Sequence, residues 1–288
     1  MLAWCCTRTA LVQKTWHGHC FAVWRCHIGS VCITKNLSAY WEKHLMQIKH
    51  AVKGAALAAM MAAAPSAFAG ATGNVYASSE YMFRGIAQTG GAAISGGLDY
   101  GWDSGLYVGT WASNIGFGGG TEQDLYVGFG GEAGGLAYDV GMTYYWYPEE
   151  DESGSEYSTL EFYASLGFGP ATLSLAYSDE LQFFNGVAAG AADAKEGLYI
   201  NLAASFPLTQ TLGLHVAIGQ YSGDEIEAGL VTEDSYLDFH VGVSAELEGG
   251  YSASFAYIFT DIDDASPYLG NVDDDPKFVV SIGKDFDL

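Results

Sequence analysis

The sequence predicts an all-β fold, a transmembrane antiparallel up-and-down β-barrel of about 12 strands. After residue 70, runs of about ten residues alternate bulky apolar with small or polar side chains, as strands with one apolar face do. The connections between the runs alternate between short and long, as in outer-membrane barrels. No continuously apolar stretch of about 20 residues follows position 70, which argues against spanning helices.

Charge and composition exclude other classes of function. The chain has 11 basic and 34 acidic residues, and only Arg84, Lys195, Lys277 and Lys284 are basic after residue 70. So acidic a region repels nucleic acid, and we expect no nucleic-acid partner. All five cysteines precede residue 45, so the barrel region contains no disulfide.

Residues 46–69 have the order of a cleavable secretory signal peptide. Lys49 and Lys53 precede an apolar run at 55–64, and an Ala-Phe-Ala triplet ends at Ala69, where we expect cleavage. A membrane anchor or a core helix is the alternative, but the apolar run is too short to cross a bilayer. We therefore expect export to the outer membrane of a Gram-negative cell.

The signal peptide divides the chain into three parts. Residues 1–45 are rich in Cys and Trp and match nothing that follows, so we interpret them as an extension from a misplaced start codon. A genuine N-terminal extension is the alternative. Residues 46–69 are the signal peptide, and residues 70–288 form the barrel domain.

The predicted strands follow one another from residue 74 to the end of the chain. The run at 136–147 illustrates the pattern, with one face formed by Leu136, Tyr138, Val140, Met142, Tyr144 and Trp146. Each run is long enough to cross a bilayer as a tilted strand. The twelve runs lie at 74–84, 92–102, 106–115, 122–131, 136–147, 157–168, 171–181, 197–206, 212–221, 236–247, 251–261 and 276–288.

The connections fit a barrel whose N-terminus is periplasmic. The even-numbered connections are short, at 103–105, 132–135, 169–170, 207–211 and 248–250. The longer and mostly acidic connections are odd-numbered, at 148–156, 182–196, 222–235 and 262–275. Short periplasmic turns and long external loops are typical of outer-membrane barrels.

A soluble β-sandwich or lipocalin-like barrel is the alternative fold. Its apolar faces would fill a packed core, but twelve runs supply more large apolar residues than such a core needs. The last run also favours membrane insertion, because its apolar face ends at the final residue. That face consists of Phe278, Val280, Ile282, Phe286 and Leu288, with Leu where outer-membrane proteins usually end in Phe.

Two segments carry a family resemblance. Residues 81–89 read YMFRGIAQT and residues 105–114 read GLYVGTWASN. With the flanking sequence from Gly73, they resemble the TorF-type porins of proteobacteria, and the similarity extends over residues 72–288. The resemblance implies an outer-membrane barrel of porin type and no particular substrate.

The face opposite the bulky residues is predicted to line the lumen. The pore-lining candidates are Glu80, Arg84, Asp99, Asp139, Glu161, His215, Asp238, His240 and Glu246. Because carboxylates predominate, we expect weak cation selectivity. Glu80 and Arg84 are placed on one strand face, where Arg84 forms a constriction or, alternatively, anchors the first external loop.

The expected function is a porin-like channel for passive diffusion of small hydrophilic solutes or cations, with outer-membrane lipid around it. The alternative is a plugged structural or adhesion barrel with acidic surface loops and no transport. No G-x-S-x-G motif accompanies the histidines, so we expect no enzyme and no cofactor. We also expect no metal site, although acidic loops at Asp261, Asp263, Asp264 and 273–275 leave Ca²⁺ or Mg²⁺ binding open.

Overall fold

The computed structural model describes residues 70–116, 120–148, 158–178, 196–223, 235–262 and 276–288. The predicted extension and signal peptide lie outside these residues. Within them, no helix is both long enough and apolar enough to cross a membrane.

The described residues form fourteen strands, twelve of them long. Their bounds are β1 Gly70–Ser78, β2 Met82–Phe83, β3 Ile86–Ala87, β4 Ala93–Gly101, β5 Leu106–Asn114, β6 Thr121–Ala133, β7 Leu136–Trp146, β8 Thr159–Phe168, β9 Ala171–Ser178, β10 Gly197–Pro207, β11 Leu212–Ser222, β12 Ser235–Glu246, β13 Tyr251–Thr260 and β14 Lys277–Asp287.

The twelve long strands close into one antiparallel barrel. Each pairs with its neighbour along the chain, and β1 pairs with β14 from Thr72↔Asp287 to Ser78↔Ser281 to complete the ring. The short strands β2 and β3 form a separate two-stranded sheet. This confirms the predicted 12-strand antiparallel barrel, in which closure leaves no unpaired edge.

The outside of the barrel is apolar and the inside is polar. On β7, Val140 is 50% exposed whereas the adjacent Asp139 is buried, because successive side chains of a strand point to opposite faces. The same alternation runs through the other long strands, so large apolar side chains are exposed and Ser, Tyr, Asp and Glu are buried. A soluble barrel has the reverse distribution.

The two ends of the barrel differ. At one end, called the short-turn end, neighbouring strands are joined by tight turns such as 102–105 and 134–135. At the opposite end, called the loop end, the connections between the strands are longer, for example between Trp146 and Thr159.

The first predicted strand is wrong beyond residue 78. β1 ends at Ser78, and residues 79–92, called the inner hairpin, turn into the barrel and contain β2 and β3. Glu80 and Arg84 therefore do not share a strand face. Arg84 and Gly85 have φ angles of 48° and 82°, which an extended strand does not allow. The other eleven predicted strands end within three residues of the observed ends.

Candidate functional site: the barrel lumen

The inner hairpin is packed against the barrel wall on several sides. Met82 contacts a buried apolar cluster from β13 and β14, formed by Ala256, Ile258 and Val279. Tyr81 packs in a second cluster with Ala93 and Ile115, and its ring centroid lies 5.2 Å from that of Trp111 on β5. Burial of apolar surface in both clusters therefore holds the hairpin inside the loop end of the lumen.

The tip of the hairpin touches the wall at β12 and β13. A Cβ atom at Gly85 would lie 2.6 Å from Cγ2 of Thr260 and 2.7 Å from Cβ of Asp238. With φ at 82°, this position suits glycine on both steric and conformational grounds. The hydroxyl of Tyr236 donates a hydrogen bond of 3.0 Å to the carbonyl oxygen of Arg84. The hairpin tip thus lies against β12 and β13, which are three and two strands from β1 around the barrel.

Arg84 holds a buried charge within a cage of aromatic rings. Its Nη2 donates to Oε2 of Glu161 at 2.6 Å, and both side chains are 4% exposed. The guanidinium carbon lies 4.6 Å from the ring centroid of Phe83, 4.4 Å from that of Tyr199 and 4.6 Å from that of Tyr221. We call these three rings the aromatic cage. An ion pair and cation–π contacts therefore act on the same group.

Two glutamates of the wall are oriented by phenol groups. The second carboxylate oxygen of Glu161 accepts a hydrogen bond of 3.1 Å from Tyr145. Glu122 accepts bonds of 2.8 Å from Tyr81 and 2.9 Å from Tyr147. Tyr81 belongs to the hairpin, so the hairpin binds the wall through Glu122 as well as Glu161.

Tyrosine–carboxylate pairs recur along the rest of the lumen. The phenol donates in each of them: Tyr199 to Asp238 at 2.9 Å, Tyr107 to Asp139 at 2.8 Å, Tyr126 to Asp99 at 2.5 Å and Tyr76 to Asp285 at 3.0 Å. Tyr107 also shares a hydrogen bond with the hydroxyl of Tyr163. These bonds satisfy carboxylates that burial would otherwise destabilise.

Several of these tyrosines lie flat over glycines of neighbouring strands. A Cβ atom at Gly219 would meet the phenol oxygen of Tyr199 at 2.1 Å, and one at Gly109 would meet the ring of Tyr126 at 2.3 Å. A larger residue would push the ring away from its carboxylate. The abundance of Gly and Tyr in the sequence thus reflects the packing of the lumen wall.

The structure places the nine predicted pore-lining residues on the inner side of the barrel or on the inner hairpin. Arg84, Asp139, Glu161, His215 and Asp238 are buried, and Glu80, Asp99, His240 and Glu246 are partly buried. Arg84 and Glu161 come together. Glu80 faces its own hairpin, where it accepts bonds of 2.5 Å from Thr89 and 3.1 Å from the Gly91 amide.

The histidines have no acidic partner in the described residues. His215 shares hydrogen bonds of 3.0 Å with Ser205 and 2.7 Å with Ser244. No group of three or more His, Cys, Asp or Glu residues in the described ranges could hold a metal ion. Asp261 accepts a bond of 2.6 Å from the amide of Leu237, and Asp263, Asp264 and 273–275 lie outside the described residues.

A protein-family model described as "Bacterial protein of unknown function (Gcw_chp)" matches residues 61–286, more than three quarters of the chain. The chain belongs to the Gcw_chp family. No curated protein matches it.

Solved structures similar to this Gcw_chp protein include two porins and a channel. The NanC porin is 11% identical with a TM-score of 0.48, and the match covers 76% of this chain and 99% of that one. The KdgM porin is 6% identical with a TM-score of 0.46, and the match covers 75% of this chain and 99% of that one. An outer membrane channel from Pseudomonas putida F1 is 9% identical with a TM-score of 0.46, and the match covers 79% of this chain and 98% of that one.

In the Gcw_chp protein, Asp124 differs from the other buried acids. It is 0% exposed, and neither of its oxygens accepts a hydrogen bond from a described residue. The carboxylates of Glu122 and Glu161 are close enough to interact with it electrostatically. Glu122 and Asp124 are not among the predicted pore-lining residues, although both alternate with Leu125, which is exposed. That alternation was the available signal.

Proposed function

We propose that this Gcw_chp protein is a porin-like outer-membrane channel for passive diffusion of small hydrophilic solutes, with a weak preference for cations. One observation carries the proposal, namely a closed barrel with exposed apolar side chains outside and buried polar side chains inside. Such a surface is stable only in an apolar solvent such as lipid. The signal-peptide pattern at 46–69 and the resemblance to TorF-type porins agree with it.

Outer-membrane lipid is the partner that fits the outer surface. Exposed aromatic side chains concentrate near both ends of the barrel, as in the aromatic girdles of membrane proteins. At the short-turn end these are Tyr100, Trp102, Phe168, Phe206, Tyr251 and Phe286, and at the loop end they are Tyr144, Trp146, Tyr177 and Phe278.

The preference for cations follows from the charges of the lumen. Among the described residues, five acidic side chains and one basic side chain are buried. The acids are Glu122, Asp124, Asp139, Glu161 and Asp238, and the base is Arg84. An excess of carboxylates attracts cations and repels anions in a pore.

Single-channel recording tests the proposal. The protein, expressed from Met46 and purified from outer membranes, is inserted into planar bilayers under a KCl gradient. We expect discrete current steps and a reversal potential of the sign that a cation-selective pore gives. An anion-selective reversal potential would contradict the cation preference but not the channel.

A plugged structural or adhesion barrel is the second candidate, because the inner hairpin is packed on several sides and reaches β8 through Arg84. The two candidates differ in conductance. A folded barrel that inserts into the bilayer and carries no current under any applied voltage would favour the second candidate.

A further inference from the structure

We propose that Glu161, Tyr199 and Tyr221 of the barrel wall form a binding site for the guanidinium or ammonium group of a small organic cation. Arg84 occupies this site as a built-in competitor. The inference rests on the proposed channel function and names the class of solute that the channel favours.

The groups that surround Arg84 are of the kinds that bind a guanidinium or ammonium group. Flat aromatic rings at 4.4 to 4.6 Å and a carboxylate at 2.6 Å enclose the guanidinium. Aromatic faces with a carboxylate bind guanidinium and alkylammonium ligands in proteins. Of these groups, Tyr199, Tyr221 and Glu161 belong to the wall, and only Phe83 belongs to the hairpin.

The wall residues are held in place by partners other than Arg84. Tyr145 donates to Glu161 at 3.1 Å, and Tyr199 donates to Asp238 at 2.9 Å. The rings of Tyr199 and Tyr221 are in edge contact, with centroids 5.8 Å apart. The site therefore keeps its form when the Arg84 side chain leaves it.

More carboxyl groups lie near the site than pair with Arg84. Glu122, Asp124 and Glu161 interact electrostatically, and Glu161 is the one that pairs with Arg84. Asp124 is fully buried, and no described residue donates to it. A second positive group nearby would stabilise the ionised form of such a carboxyl group.

The backbone of Arg84 has a conformation that suits glycine better than arginine. Arg84 has a φ of 48° and is the one described residue other than glycine with a positive φ. Residues other than glycine rarely adopt this left-handed region of backbone conformation. A glycine at this position can therefore form the same turn without strain.

Chemical rescue tests the site without any measurement of transport. Arg84→Gly removes the guanidinium and fits the positive φ. We expect this variant to have a lower midpoint of urea unfolding than the wild type. Methylguanidinium at millimolar concentration should raise that midpoint in a saturable way, whereas NaCl and formamide should not. In Arg84→Gly/Glu161→Gln the rescue is lost. If Arg84→Gly does not fold alone, its refolding yield with methylguanidinium replaces the midpoint. Absence of rescue, or equal rescue in the double variant, overturns the proposal.

Solute uptake into proteoliposomes that contain the folded full-length protein tests the solute class. Labelled arginine is compared with labelled citrulline, in which an uncharged urea group replaces the guanidinium. In the wild type we expect faster uptake of arginine than of citrulline. Glu161→Gln should lower the ratio of arginine uptake to citrulline uptake toward one. The control Asp103→Asn, which removes an exposed carboxylate at the short-turn end, should leave this ratio unchanged. Equal uptake of both solutes overturns the solute class. Uptake of neither solute overturns the channel function, and rescue then still decides whether the site binds a cation.

Discussion

Single buried charges decide how the lumen of this protein is organised. Glu161 and Arg84 neutralise one another at 2.6 Å, and phenols satisfy Glu122, Asp139 and Asp238. Removing one partner of such a buried pair leaves an uncompensated charge, which costs about 3–5 kcal/mol. Buried carboxylates of the same residue type therefore differ in their contribution to stability according to their donors.

The contrast between Asp124 and Asp139 gives the first prediction. Asp124 accepts no bond from a described residue, whereas Asp139 accepts one of 2.8 Å from Tyr107. Asp124→Asn replaces a buried carboxyl group to which no described residue donates, so we expect its free energy of unfolding to stay the same or to rise. Asp139→Asn loses a charge-assisted bond and should lower it. Urea unfolding in detergent measures both, and a loss of stability in Asp124→Asn would contradict the absence of a donor to this carboxyl group.

At the scale of elements, the inner hairpin is the part that departs from a simple barrel. Its turn requires the backbone of Gly85 to approach Thr260 and Asp238. Gly85→Ala would force a Cβ atom into both and would strain a φ of 82°, so we expect a loss of about 1–3 kcal/mol. Gly91→Ala is the matched control, since nothing lies within 4 Å of its added Cβ. Equal unfolding midpoints for the two variants would contradict the tight contact at the tip.

Removal of the hairpin gives a prediction about conductance. Ser78 pairs with Ala93 across β1 and β4, so an Asn-Gly dipeptide in place of 79–92 would close a two-residue turn between them. We expect the shortened barrel to fold, because the ladder from β1 to β4 is intact, and to carry a larger single-channel current. The wild type in the same bilayer is the reference. An unchanged current would show that the hairpin does not limit the pore.

At the scale of the whole molecule, the bilayer explains why the positions of most strands could be predicted from the sequence. A lipid-facing strand must present apolar side chains at every second position, so eleven of twelve strands were predicted within three residues. The hairpin was missed because Tyr81, Met82 and Phe83, bulky residues common in strands, follow β1 closely in the sequence. Its inward course depends on contacts with β8 and β10 to β14, which are remote in sequence, and local periodicity carries no information about them.

The same distribution of side chains makes a prediction that separates a membrane barrel from a soluble one. Val140 and Leu136 face outward on β7, Val140 near the middle of the strand and Leu136 at its short-turn end. In a bilayer, Val140→Arg should cost about 2–4 kcal/mol and Leu136→Arg about 0–1 kcal/mol, because the penalty of an arginine falls toward the interface. Folding into lipid vesicles over a urea series, followed by the heat-dependent migration of the folded barrel in gels, measures the difference. Equal and small effects of the two arginines would mean that the outer face meets water, and the outer-membrane location would then have to be abandoned.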